Sequence, residues 1–129
     1  MSFFNGIFNN ASSTPIADIS KEVEEFLVPR EKIEASFKLV RDLIIFTNLR
    51  LIIIDKQGVT GKKTEYQSVP YKNISRFSVE TMGTLDIDSE LKIWLNGSNE
   101  VSISKSFSKD SSIKDINKLL SLGTLNSSI

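Results

Sequence analysis

The sequence predicts a mainly β, single-domain protein: a small antiparallel barrel or sandwich closed by a C-terminal helix. Three observations point there. Apolar residues alternate with period two through most of the chain's middle, and turn-forming residues break that alternation into short runs. A 3.6-residue period appears only near the two ends. At 129 residues the chain is long enough for one hydrophobic core and too short for two.

Residues 1–17 combine Asn, Ser, Thr and Pro15 with Phe3, Phe4, Ile7 and Phe8 and hold no steady period, which predicts an irregular N-terminal arm. A short amphipathic helix is expected next, over DISKEVEEFLVP. Asp18 or Ser20 would cap it, Ile19, Val23, Phe26 and Leu27 would share a face, and Pro29 would end it. From Lys32 the period falls to two, with Ile33, Ala35, Phe37 and Leu39 alternating against Lys32, Glu34, Ser36 and Lys38. Val40 to Asp42 turn the chain.

Leu43–Phe46 and Leu49–Ile54 then read as two β-branched-rich strands joined by Thr47 and Asn48, a spacing that suits a tight hairpin. Both strands are apolar on both faces. The alternation is read with Leu43, Ile45, Leu51 and Ile53 facing the core, which leaves Ile44, Phe46, Ile52 and Ile54 to be covered by a helix or another subunit. Gly58 and Gly61 mark a turn, and a polar strand follows from Lys62 to Ser68 with Tyr66 inward. Tyr71 to Asn73 read as a tight turn after Pro70. Ile74 to Met82 is the next strand, with Phe77 and Val79 on one face. Asp88 to Leu95 places Leu91, Ile93 and Leu95 inward and Trp94 outward, and Asn96-Gly97 marks a hairpin before Glu100–Lys105. The last element is a helix from Ser108 or Asp110 to Leu122, with Ile113, Ile116, Leu119 and Leu120 on one face and Gly123 as its stop. The domain therefore spans residues 18–122, and residues 123–129 are expected to fray.

The chemistry available is narrow. The chain has no Cys and no His, so thiolate metal sites, disulfides and imidazole bases are excluded. Asp86, Asp88 and Glu90 open with the spacing of a calcium loop, but Leu91 and Gly97 stand where that loop needs Gly and Glu. Gly58 to Lys63 has the look of a phosphate loop without its spacing or its following helix. No nucleophile, base and orienting group recur at a catalytic spacing, so no enzyme activity, cofactor or metal is expected.

Charge is balanced overall and uneven locally. Residues 35–76 carry eight Lys or Arg against three acids, residues 1–34 three against six, and residues 77–104 one against five. A zero net charge argues against general nucleic-acid binding. The uneven distribution leaves two readings: a basic patch at Lys38, Arg41, Lys62 and Lys63 for anionic lipid head groups or an acidic partner, or faces that complement acidic faces of the same or an identical molecule. The longest apolar runs fall far short of the roughly 20 residues of a membrane-spanning helix, and MSFFNGIFNN lacks the basic start of a secretory signal, so a cytoplasmic location is expected.

Particular strings sharpen the fold. Val40-Arg41-Asp42-Leu43-Ile44, Phe46-Thr47-Asn48-Leu49-Arg50-Leu51-Ile52, Asp55-Lys56-Gln57-Gly58-Val59-Thr60-Gly61-Lys62-Lys63, Val69-Pro70-Tyr71, Glu80-Thr81-Met82-Gly83-Thr84-Leu85-Asp86 and Glu90-Leu91-Lys92-Ile93-Trp94 resemble bacterial pleckstrin-homology (PH) domains, over roughly Glu24 to Leu120. The resemblance implies a bent seven-stranded antiparallel barrel capped by the C-terminal helix. It also implies assembly into a cyclic homo-oligomer, a five-fold ring, and a role in protein interaction. Such a ring would cover Ile44, Phe46, Ile52 and Ile54. Relatives that bind phosphoinositides carry a basic signature across the first hairpin, where this chain offers only Lys38 and Arg41 and no basic residue from Leu43 to Phe46.

Overall fold

Among the described residues seven strands form two antiparallel sheets, and the C-terminal α-helix packs on the core they enclose. The computed structural model of the protein describes residues 23–39, 42–57, 63–81, 89–107 and 113–126. The first sheet has the order β1 (Ile33–Lys38), β2 (Asp42–Thr47), β3 (Arg50–Gln57), β4 (Lys63–Pro70). A 3₁₀ turn over Tyr71–Asn73 leads into the second sheet, β5 (Ile74–Glu80), β6 (Ser89–Leu95), β7 (Ile103–Phe107). Helix α1 (Ile113–Asn126) follows. The expected mainly β fold with a C-terminal helix is therefore present, as two sheets.

The register of β2 with β3 settles which side chains face the core. Leu43 lies opposite Ile54, Ile44 opposite Ile53, Ile45 opposite Ile52 and Phe46 opposite Leu51. Residues directly opposite share a face, and a two-residue connection always pairs an even-numbered position with an odd one. Ile44, Phe46, Leu51 and Ile53 therefore enter the main core with Ala35, Phe37 and Val69 from the same sheet. Leu43, Ile45, Ile52 and Ile54 line the other face. The sequence assignment held for β3 and was inverted for β2: Ile44 and Phe46 point inward, and Leu43 and Ile45 belong with Ile52 and Ile54. Grouping 43 and 45 with 51 and 53 would have needed a connection of odd length.

Two smaller corrections follow from the same geometry. A bulge between Ile33 and Ala35 shifts the β1–β2 register, so Ala35, Phe37 and Leu39 are buried in the main core while Ile33 turns to the opposite face. Tyr66 pairs with Ile54 and so also lies on that opposite face. In the second sheet Leu91 and Ile93 are buried and Phe77, Val79 and Leu95 pack beside them. Its outer face is polar, as expected for an antiparallel sheet with one solvated side. There Arg76 sits 4.1 Å over the Trp94 ring, and Lys92 lies between Glu80 and Glu90. Asn96-Gly97 does turn the chain, with Gly97 at φ 88°, but β7 starts at Ile103 because residues 98–102 complete the turn.

The second face of the first sheet is covered by the chain itself. A strap of residues 23–32, which includes a 3₁₀ turn at Glu24–Phe26, brings Val23 and Leu27 onto Ile45, Ile52 and Ile54. Asp18, Ile19 and Ser20 of the expected helix lie outside the described residues, as does the 1–17 arm. Ile45, Ile52 and Ile54 are no more than 2% exposed. Burying each is worth roughly 1.5–3 kcal/mol, so this second cluster contributes on the order of 5 kcal/mol or more.

Gly123 does not stop the helix. α1 continues through it to Asn126, and the glycine instead lets the helix backbone approach the ring of Tyr71. A Cβ there would stand 2.7 Å from Tyr71 Cδ1, too close for any rotamer to relieve without moving the buried ring. Gly123→Ala is expected to destabilise the fold by about 1–3 kcal/mol despite alanine's better helix propensity. Urea denaturation followed by far-UV circular dichroism measures it, and an unchanged or raised midpoint would remove the close-packing role.

Candidate functional site

Strap and sheet meet at one corner, where the β2–β3 turn carries most of the polar contacts. Pro29 pre-sets the backbone for a tight turn, closed by the Glu31 N–H donating to the Val28 carbonyl at 3.0 Å. Arg30 occupies the third position of that turn at φ 73°, and among the described residues it is the one non-glycine in the left-handed region. This conformation costs a non-glycine residue about 1–2 kcal/mol. Glycine or asparagine would sit there more easily.

The next residue is the centre of the corner. The Glu31 side chain is fully buried. Arg50 donates to it through two nitrogens, Nε to Oε2 at 2.8 Å and Nη2 to Oε1 at 2.9 Å. The Thr47 hydroxyl donates to Oε2 at 2.7 Å, and the Val28 N–H to Oε1 at 3.0 Å. Thr47 Oγ1 in turn accepts the N–H groups of Leu49 and Arg50, shaping the hairpin turn. The remaining donors of Arg50 reach the Phe26 carbonyl at 2.6 Å and Ser68 Oγ at 2.9 Å, so one guanidinium joins the strap, β3 and β4. Asn48 adds a second clamp: its Oδ1 accepts the Lys32 N–H at 2.7 Å and its Nδ2 donates to the Arg30 carbonyl at 3.0 Å. Beneath it the Tyr71 hydroxyl donates to the Thr47 carbonyl at 2.6 Å.

Electrostatics follow from that geometry. Burial by itself would raise the Glu31 carboxyl, but the hydrogen bonds from Arg50, Thr47 and Val28, with the Arg50 charge, outweigh it and hold the group below its ordinary value. Burial pushes the Tyr71 phenol far above its usual range, helped by the negative charges of Glu34 and Glu31, so it stays a neutral donor.

Three large apolar side chains are exposed around this corner: Phe26 at 45%, Val28 at 50% and Leu49 at 50%. One face of Phe26 stacks on Tyr66, with ring centroids 4.4 Å apart. A second charged group joins the two sheets elsewhere. Lys105 of β7 donates from Nζ to Asp42 Oδ2 at 2.7 Å and lies 3.8 Å from Asp55 Oδ2, relieving the repulsion of two acids that sit directly opposite on β2 and β3.

Of the residues singled out in the sequence, Ile44, Phe46, Ile52 and Ile54 are all buried within the chain, the first two in the main core and the last two under the strap. Lys38 and Lys63 are both exposed at the same end of the first sheet. They stand on its two edge strands and, by register, on opposite faces, so the structure does not bring them into one patch. Arg41 and Lys62 lie outside the described residues, as do Asp86 and Asp88. Among the described residues no group of three or more acids is placed to hold a metal ion, and no helix is long and apolar enough to cross a membrane.

Two orthogonally coded features, a four-plus-three arrangement of antiparallel strands and a C-terminal helix seated on the core, define this as a PH-type fold. The chain belongs to the bacterial PH domain family, whose model matches residues 2–122. It is 58% identical to the uncharacterised protein YjqA of Bacillus subtilis (strain 168), over 93% of this chain and 96% of that one. Among solved structures it is similar to a pleckstrin homology domain from Shewanella amazonensis SB2B, with 41% identity, a TM-score of 0.79, and coverage of 95% of this chain and 98% of that one. A DUF1696 family protein with a pleckstrin-homology domain from Shewanella loihica PV-4 shows 39% identity and a TM-score of 0.77, over 91% of this chain and 99% of that one.

The Glu31–Arg50 pair gives a defined expectation. Arg50→Ala leaves a buried carboxylate without its counter-ion and should lower the unfolding free energy by about 3–5 kcal/mol at pH 7. The native carboxyl is held below its ordinary value of 4.5, so its contribution is complete above that value and is lost as pH falls through the lowered native pKa. Wild type and variant should therefore converge in stability as the pH is taken well below 4.5. Urea titrations at pH 7 and in acid check both halves, and a constant gap across pH would show that the pair's charge is not what the variant lost.

Proposed function

We propose that this PH-type domain is a non-catalytic interaction module that assembles with copies of itself into a closed ring and presents the ring's surface to a protein partner. The observation that carries this reading is the pair of open sheets. Among the described residues, strands β1, β4, β5 and β7 each have a ladder neighbour on one side only, and natural proteins rarely leave so many edges to solvent. A ring of identical domains covers edges without leaving an open end, provided that the rotation between neighbours closes.

The surface supports the same reading. Among the described residues five large apolar side chains are exposed, Phe26, Val28, Leu49, Val101 and Leu125, and three of them surround a rigid, hydrogen-bonded corner. Membrane binding through Lys38, Arg41, Lys62 and Lys63 has less behind it, since the two described lysines stand on opposite faces.

Multi-angle light scattering on the purified chain tests the assembly. The expected mass is an integral multiple of 14.5 kDa larger than two, independent of concentration in the micromolar range. A monomer at tens of micromolar overturns the ring.

A further inference from the structure

The geometry points to the strap as a built-in stand-in for a free aliphatic carboxylate, a medium-chain fatty acid, whose site is the face of the first sheet that the strap covers. The site lies within one chain and is independent of the proposed ring.

Strand alternation sets the parts of the site in line. Ile45 and Thr47 share the covered face of β2, and Arg50, Ile52 and Ile54 share the same face of β3. Ser68, opposite Ile52 on β4, adds its hydroxyl to the Arg50 end. One end of the face is thus a polar head and the rest an aliphatic strip. From Arg50 to Ile54 the strand rises about 13 Å, close to the length of an extended chain of roughly ten carbons.

The strap fills this layout as a fatty acid would. Glu31 gives its carboxylate to the head, taking two hydrogen bonds from Arg50 and one from the Thr47 hydroxyl, while Val23 and Leu27 lie over the strip. The charge requirement selects the occupant. Arg50 is only 22% exposed, so a neutral or cationic head group of the same length would leave its guanidinium without a counter-ion. The strap's own hold is compromised at one point. Arg30, next to Glu31, is kept in the left-handed region, and that strain is relieved when residues 23–29 swing away about its N–Cα bond. Asn48 meanwhile keeps the Arg30 carbonyl and the Lys32 N–H in place, so the strap lifts as a tethered flap and both sheets stay intact. An intramolecular occupant that is strained and covers the strip with two side chains is one that a soluble ligand can displace.

Decanoate is the probe, used on the full-length protein at pH 7 below its micelle-forming concentration. Titration calorimetry should show saturable binding, with decanol and decylamine weaker by about tenfold or more. Hydrogen exchange followed by mass spectrometry should show faster exchange over residues 23–32 when decanoate is present, because the Val28, Glu31 and Lys32 N–H groups lose their acceptors. Glu31→Gln removes the strap's own anion, so it should bind decanoate about tenfold more tightly than wild type, a larger share of the protein being open. Leu27→Ser leaves the head intact and should tighten binding in the same direction, which keeps the test decisive should Glu31→Gln fail to fold. Near-UV circular dichroism of Trp94, on the second sheet, reports folding in each case. No saturable binding by wild type or by a folded variant overturns the site. Equal binding of decanol overturns recognition of the carboxylate. Binding of equal strength in wild type and the folded variants, or without faster exchange in the strap, overturns the strap as the competing occupant.

Discussion

The structure turns on a sheet that is apolar on both sides. β2 and β3 bury Ile44, Phe46, Leu51 and Ile53 against the second sheet and α1, and the same strands offer Leu43, Ile45, Ile52 and Ile54 to the opposite side. One core cannot use both faces. The strap resolves this, although a 3₁₀ turn such as Glu24–Phe26 has little stability of its own. It stays in place because Glu31 and Asn48 fasten it to the β2–β3 turn, with Arg50 gathering the loose ends. An ion pair of this kind is a poor source of net stability when compared with apolar groups of the same shape. Its contribution is positional, fixing where the strap crosses the sheet and therefore which side chains are covered.

Much of the fold was legible in the sequence because strand periodicity survives tertiary context. Ala35, Phe37, Leu91, Ile93, Ile113, Ile116, Leu119 and Leu120 all point as their spacing indicates. Failures came where that spacing carried no information. In β2 every position from Leu43 to Phe46 is apolar, so alternation could not choose a face, and only the length of the connection could. Ile33 was misplaced by a bulge, which has no signature in a run of alternating residues. Gly123 looked like a helix stop because glycine serves both as a terminator and as the residue that admits a close neighbour.

The corner was less legible. Thr47 and Asn48 stood out as turn residues, and Pro29 as a break, but the partner of Arg50 is nineteen positions away and looked like one acid among six in residues 1–34. A usable signal was present in the placement of Glu31 two residues after a proline, directly ahead of a strand, where a turn would aim it back at the sheet. The surplus apolar face calls for a helix or another subunit to cover it. The chain itself covers it with Val23 and Leu27, and the large apolar side chains left exposed at this corner are those that the strap and the β2–β3 turn carry outward.

The order of elements along the chain places the strap ahead of everything it covers. During synthesis it leaves the ribosome before β1, yet its seat is made of β2, β3 and Tyr66 of β4, and is complete only when the hairpins have paired. Hairpin pairing is local and fast, whereas seating the strap closes a loop across the whole first sheet. For that interval the nascent domain carries a row of isoleucines in water, with sheet edges beside them. The risk of misassembly is therefore greatest in a partly made chain, and it ends when Glu31 meets Arg50.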